Sequence, residues 1–246
     1  MAGHARKPEQ DTLYLSAPVN ALVEGIYRQN TTLAQLKEHG DFGLGTFNDL
    51  DGELVLLGGS AFQITGDGAV RRPGDDVSTP FACVCFFREL TFEEVDTGFA
   101  DLDSLMALLN NEFPSPNMMY ALRVDGDFEF VRTRSVPRQD HYRPLVEVTR
   151  DQPTFDMTNL SGTLAGFYTP RFMSSLCVPG VHLHFISEDR LRGGHLLQCR
   201  AVRARIGIQI LRSLRMDLPV TLDYLTADLS RDPTQALHQA ETEQGR

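Results

Sequence analysis

The run from Gly162 to Ile210 leaves little choice of topology. Three strand-like stretches, "GTLAGFYTP", "GVHLHFIS" and "HLLQCRAVRARIGIQI", follow one another with only short connections between them. Parallel neighbours need a crossover of about a dozen residues or more. The link "SEDRLRGG" is too short for that, and its Gly193-Gly194 pair supplies the backbone freedom for a turn. The last two stretches are therefore expected to lie side by side as antiparallel strands. Outside this region "ELVLL", "AFQIT" and "PFACVCFF" read as further strands, and "MMYALRVDGDFEFVRTRSV" as a hairpin turning at Asp125-Gly126.

Helical spacing is confined to a few segments. Val19, Leu22, Val23 and Ile26 share one stripe. "TTLAQLKEHG" carries a capping box from Thr32 to Gln35, with Gly40 as its stop. In "DLDSLMALLNNEFP", Leu105, Leu108, Leu109 and Phe113 form a stripe, with Asp103 as the expected cap and Pro114 as the end. "RDPTQALHQAETEQ" closes the chain with Asp232 as cap and Pro233 at the first helical position. Helices and mostly antiparallel strands without a steady βαβ rhythm predict an α+β fold. A boundary near Arg150 divides it into an N-terminal domain, 1–150, and a β-rich C-terminal domain, 151–246.

Thirty-three acidic residues against 23 basic ones leave a net charge of −10, which argues against a nucleic-acid binder or a DNA-binding sensor. No stretch of about 18 apolar residues is present to span a membrane, and the polar start "MAGHARKPEQD" has no apolar core for a signal peptide. A cytoplasmic enzyme is the expectation. Cys83, Cys85, Cys177 and Cys199 form no C-x-x-C pair and read as small buried thiols.

Three of the seven histidines gather in "GVHLHFISEDRLRGGHLL". Side chains alternate along a strand, so His182 and His184 point one way while Val181, Leu183 and Phe185 point into a core. The turn returns His195 at the start of the next strand. Three converging imidazoles form the ligand set of a catalytic zinc with an open position. His4, His39, His141 and His238 sit in terminal, capping, loop and helical contexts that need no ligand. A second pattern overlaps the first. His182, His184 and Glu188 have the H-x-H-x-x-x-E spacing of cupin barrels, which would make Glu188 a ligand of a metal-dependent oxygenase or isomerase.

Four motifs, "GDFGLGTFNDLDGEL", "RTRSVPRQ", "GTLAGFYTP" and "VPGVHLHFISEDRLRGGH", occur in order across nearly the whole chain. Together they resemble the acetolactate decarboxylase family, although "DHYRPL" stands where that family has a Pro-Tyr or Pro-Phe loop. The resemblance implies two domains with the active site between them. It also implies a zinc ion on His182, His184 and His195, a homodimer, and conversion of 2-acetolactate to acetoin and carbon dioxide. Carried over by motif, Glu53 and Arg134 become active-site residues, Thr46 lines the substrate pocket, and Glu241 is brought in by the C-terminal segment, with Glu243 two residues away. The chemistry suits these residue types. Loss of carbon dioxide leaves an enediolate, whose charge a dication beside the ketone oxygen stabilises. Arg134 would orient the carboxylate, and Glu53 or Glu241 would deliver the proton.

Overall fold

The computed structural model describes residues 10–141, 143–150 and 152–241. The chain runs through β1 (Thr12–Leu15), α1 (Val19–Val23), β2 (Thr31–Thr32), α2 (Leu33–Lys37), β3 (Phe42–Thr46), β4 (Glu53–Leu57) and β5 (Ser60–Ile64). It continues through β6 (Val70–Arg71), β7 (Ser78–Thr79), β8 (Ala82–Cys85), β9 (Thr91–Val95), α3 (Leu102–Glu112), β10 (Met119–Arg134) and α4 (Leu145–Arg150). It ends with β11 (Thr154–Thr169), β12 (Gly180–Ser187), β13 (Gly193–Leu211), β14 (Ser213–Met216), α5 (Leu222–Thr226) and α6 (Thr234–Glu241).

Two sheets carry this α+β fold. Seven strands form the first, in the order β14-β1-β8-β3-β4-β5-β6, antiparallel except for the β1–β14 pair. The second is antiparallel throughout, in the order β10-β11-β12-β13-β9. Strand β10 also pairs with β13, so the pairing runs from β10 round to β13 and back, and the sheet closes on itself. The boundary expected near Arg150 falls within the sequence that builds this second sheet. Strands β9 and β10 come before it, and β14, after it, joins the first sheet.

Three apolar clusters follow from this layering. One lies where the sheets face each other and includes Leu44, Val55, Ile64, Ala165, Phe167 and Ile186, with Leu237 and Ala240 of α6. A second fills the closed sheet around Phe128, Leu164 and Phe185 and takes in Leu105 and Leu109 of α3. The third lies under α2, with Leu33, Leu36, Leu54 and Phe47.

Several local readings hold. The capping box forms, with the Gln35 N–H donating to Thr32 Oγ1 at 3.3 Å and the Thr32 N–H to Gln35 Oε1 at 2.9 Å. Asp232 accepts from the Thr234 N–H at 3.0 Å ahead of α6. Two readings are corrected. Asp101, not Asp103, caps α3, because the helix begins at Leu102 and the Asp101 carboxylate accepts the Ser104 N–H at 2.8 Å. Asp125-Gly126 is no turn but the middle of the 16-residue strand β10. Gly126 is there for close approach, since a Cβ would stand 2.7 Å from the Arg203 carbonyl oxygen, and Asp125 accepts from Arg123 and from Thr163 Oγ1. Helix α1 is shorter than its apolar stripe, because the chain turns away at Gly25, whose φ is 83°.

Candidate active site

Strand register assembles the histidines. Arg134 of β10 lies opposite His195 of β13, which lies opposite His184 of β12. His182 shares the face of His184, two residues away, while Leu183 and Phe185 turn into the core of the closed sheet as their alternation requires. Two local features set this row. Between Arg132 and Thr133 the β10–β13 register slips, so Leu197 has no partner opposite it, a bulge of the kind that re-aims side chains beside active sites. Gly194, at φ 137°, lets β13 approach β10, since a Cβ there would meet the Arg134 carbonyl oxygen at 2.5 Å.

The three rings converge. His182 Nε2 and His195 Nδ1 are 3.2 Å apart, and one ligand nitrogen from each histidine falls within 4.8 Å of the others. Among the described residues no other group of three His, Cys, Asp or Glu side chains gathers in this way. His184 is held by the first sheet, its Nδ1 2.9 Å from the Leu54 carbonyl oxygen. A carbonyl only accepts, so Nδ1 carries the hydrogen and Nε2 presents its lone pair. That Nε2 is buried without a hydrogen-bond partner. A buried acceptor aimed at two other imidazoles fits a metal ion, and a ring whose far nitrogen is fixed by a carbonyl is the usual setting of a metal-binding histidine. Three nitrogen donors suit zinc.

Burial and the neighbouring Arg134 guanidinium push His182 down to about 3, and burial, His182 and Arg134 push His184 well below the ordinary imidazole range. Both rings are therefore neutral at neutral pH, the form a metal needs. In the metal-free protein the unfolded chain takes up protons on these histidines below about pH 6.5 while the folded chain does not. Stability is thus expected to decline as pH falls from about 6.5 toward 3, by at most about 1.4 kcal/mol per pH unit for each histidine. Urea unfolding of chelator-treated protein at pH 7 and pH 5 measures this, and His182→Gln is expected to flatten the dependence.

The other expected residues gather round the same small cavity of about 50 Å³, lined by Thr46, Glu53, Arg134 and the three histidines, with Leu50, Leu145, Leu237 and Ala240 among its walls. Glu53 opens β4 opposite Thr46, is 8 % exposed, and places Oε2 3.5 Å from His184 Nε2. Arg134 is 3 % exposed. The Thr46 hydroxyl donates to the Gly52 carbonyl at 2.7 Å, which ties down the turn leading into Glu53. Helix α6 ends at Glu241, directly after the cavity-lining Ala240. The Glu241 side chain and all of Glu243 lie outside the described residues. A wider cleft of about 690 Å³ adjoins the cavity and shares His182, His195, Val178 and Leu237 with it.

Glu188 does not join the cluster. It is exposed in the turn after β12, its N–H donates to the Ser161 carbonyl, and its side chain faces a different groove. The cupin arrangement is thereby overturned, because the alternation that gathers His182 and His184 ends where that turn begins. The sequence reading missed the Leu54 carbonyl that holds His184, a backbone contact from the other sheet that leaves no mark in side-chain spacing. It also missed α4, whose Leu145 lines the cavity.

The sequence pattern of the family described as alpha-acetolactate decarboxylase matches residues 13–231. An alpha-acetolactate decarboxylase of Methylococcus capsulatus is 41% identical over 239 residues, covering 97% of this chain and 92% of its own. One from Brevibacillus brevis is 39% identical over 97% of this chain and 84% of its own. Among solved structures, the alpha-acetolactate decarboxylase of Bacillus subtilis strain 168 superposes with a TM-score of 0.91 at 32% identity, covering 94% of this chain and all of the other. With the family pattern spanning most of its length and such relatives matching 97% of it, the chain belongs to the alpha-acetolactate decarboxylase family.

Proposed function

We propose that this chain decarboxylates 2-acetolactate to acetoin and carbon dioxide, with a zinc ion held by His182, His184 and His195. One observation carries the reading. A single cavity collects three imidazoles, a buried arginine and a buried glutamate, in a chain whose relatives are named for this reaction. Bound zinc would supply Lewis acidity to the substrate's ketone oxygen.

The protein's own groups do the rest. Arg134 takes the carboxylate in a two-pronged contact and sets the breaking carbon–carbon bond across the carbonyl plane. Its work is orientation, since the charge it grips leaves that carbon as the reaction proceeds. Thr46, whose hydroxyl proton is committed to Gly52, shapes the pocket beside Glu53. Glu53 or Glu241 returns a proton to the carbon that lost carbon dioxide, fixing acetoin's stereocentre. Val19, Leu22, Phe81, Val136 and Leu237 wall the cavity with apolar surface and keep water from the reacting carbon. The functional unit in this reading is a homodimer, and the exposed Leu218, Val220, Leu222 and Leu225, just beyond the edge strand β14, offer apolar surface for it. No helix among the described residues is long and apolar enough to cross a membrane.

The test is direct. Purified, zinc-loaded protein is expected to form acetoin from 2-acetolactate, to lose that activity with a chelator, and to regain it when zinc is restored. Zinc-loaded protein that forms no acetoin contradicts the reaction.

A further inference from the structure

The turn leading into Glu53 has an unusual backbone. Asp49 and Leu50 both adopt left-handed φ, 64° and 53°, and Gly52 follows at 87°. Aspartate tolerates that region; leucine rarely enters it. Leu50 is nonetheless 2 % exposed and forms part of the cavity wall. Such a conformation persists where the surroundings over-determine it, and here the surroundings converge on Asp49.

Asp49 makes four attachments. Its carboxylate accepts from the Arg28 guanidinium and, at 2.9 Å, from Arg138. Its N–H donates to the Tyr27 carbonyl at 2.8 Å, and its own carbonyl accepts the Gln139 N–H at 2.7 Å. Two of these partners, Arg138 and Gln139, belong to the segment that leaves β10 just after Arg134. The same segment is pinned once more, where Ser135 Oγ donates to the Ile64 carbonyl at 2.6 Å. Ile64 is the β5 residue opposite Glu53. The chain after Arg134 is therefore fastened to the approach of Glu53 on one side and to its cross-strand partner on the other. Glu53 and Arg134 belong to different sheets, and these bonds join the two.

We propose that Asp49 is a positioning residue for the reaction: through Arg138 and Gln139 it ties the turn before Glu53 to the segment after Arg134, so that the two groups face one cavity in fixed register. The inference rests on the decarboxylase reading above. Asp49 is not among the residues that line the cavity. Its side chain is 12 % exposed in a paired setting, and Arg138 is 57 % exposed, so either can be changed without opening the core.

Asp49→Asn is the principal variant, because asparagine also accepts left-handed φ while losing the charge that holds both guanidinium groups. Zinc content and thermal midpoint are measured beside kcat and KM. The expected result is one zinc per chain, a midpoint within a few degrees of wild type, and kcat lower by about 10- to 100-fold with a smaller change in KM, the range for a misplacement of about 1 Å. Arg138→Ala is expected to act in the same direction, Arg138→Lys to recover part of the loss, and the double variant to be no worse than either single one. The exposed Arg138 variants keep the inference testable if Asp49→Asn fails to fold. Variants with wild-type kcat, or with a kcat loss that follows only a lowered midpoint, overturn it. Failure of the parent reading looks different, since wild-type protein would then make no acetoin.

Discussion

His184→Ala is expected to strip the metal from the chain and to abolish acetoin formation. His184 is 1 % exposed, its Nδ1 is held by Leu54, and its Nε2 is the buried nitrogen aimed at His182 and His195. Groups that only orient a ligand are worth roughly 10- to 100-fold in metal affinity, so loss of the ligand itself should exceed about 100-fold. Lewis-acid stabilisation contributes several kcal/mol of barrier lowering. At about 1.4 kcal/mol per decade, activity should fall by at least about 10³-fold. Truncation also leaves a gap under β4 and is expected to cost about 1–3 kcal/mol of stability. Metal analysis and turnover on the same sample check both effects. A variant that keeps stoichiometric zinc, or wild-type turnover without it, would contradict the assignment.

Arg134→Gln is expected to lower kcat/KM by about 10²- to 10³-fold while leaving zinc bound. The guanidinium is almost wholly buried beside the histidines, where the register of β10 on β13 fixes its height against His195. A charge-assisted hydrogen bond is worth about 1.5–3 kcal/mol, and misorientation of the substrate adds to that loss. Because the proposed role is orientation, kcat should fall more than KM rises. Arg134→Lys keeps the charge but lacks the planar fork, so it should recover only part of the activity. Removing the cation also lifts one of the influences that depress His182 and His184, so both should titrate higher in the metal-free variant. Steady-state kinetics with zinc analysis tests this; an unchanged kcat would show that Arg134 does not hold the substrate.

How much could be read in advance depended on the range of the interactions. The pairing of His182 with His184 follows from strand alternation, and the short "SEDRLRGG" turn forces His195 into the neighbouring strand, so the clustering of the three histidines was legible from local rules. Glu53, Thr46 and Arg134 were named through motif resemblance, because nothing local distinguishes a catalytic glutamate from a turn residue. They meet only when the first sheet packs on the closed one. Misreadings arose where tertiary contact overrides local preference. Asp125-Gly126 has the sequence of a hairpin turn, yet it runs straight because Gly126 sits against the Arg203 backbone. The closure of the second sheet depends on β10 reaching both β11 and β13, far apart in sequence, and no periodicity encodes that. The Leu54 carbonyl and the Asp49 attachments were invisible for the same reason.

X-ray absorption at the zinc edge of the loaded protein, compared between wild type and His184→Ala, addresses the arrangement itself. The account predicts one zinc per chain with three nitrogen ligands at about 2.0–2.1 Å, and loss of that signature in the variant. A wild-type spectrum lacking three nitrogen ligands, or unchanged by the substitution, would contradict it.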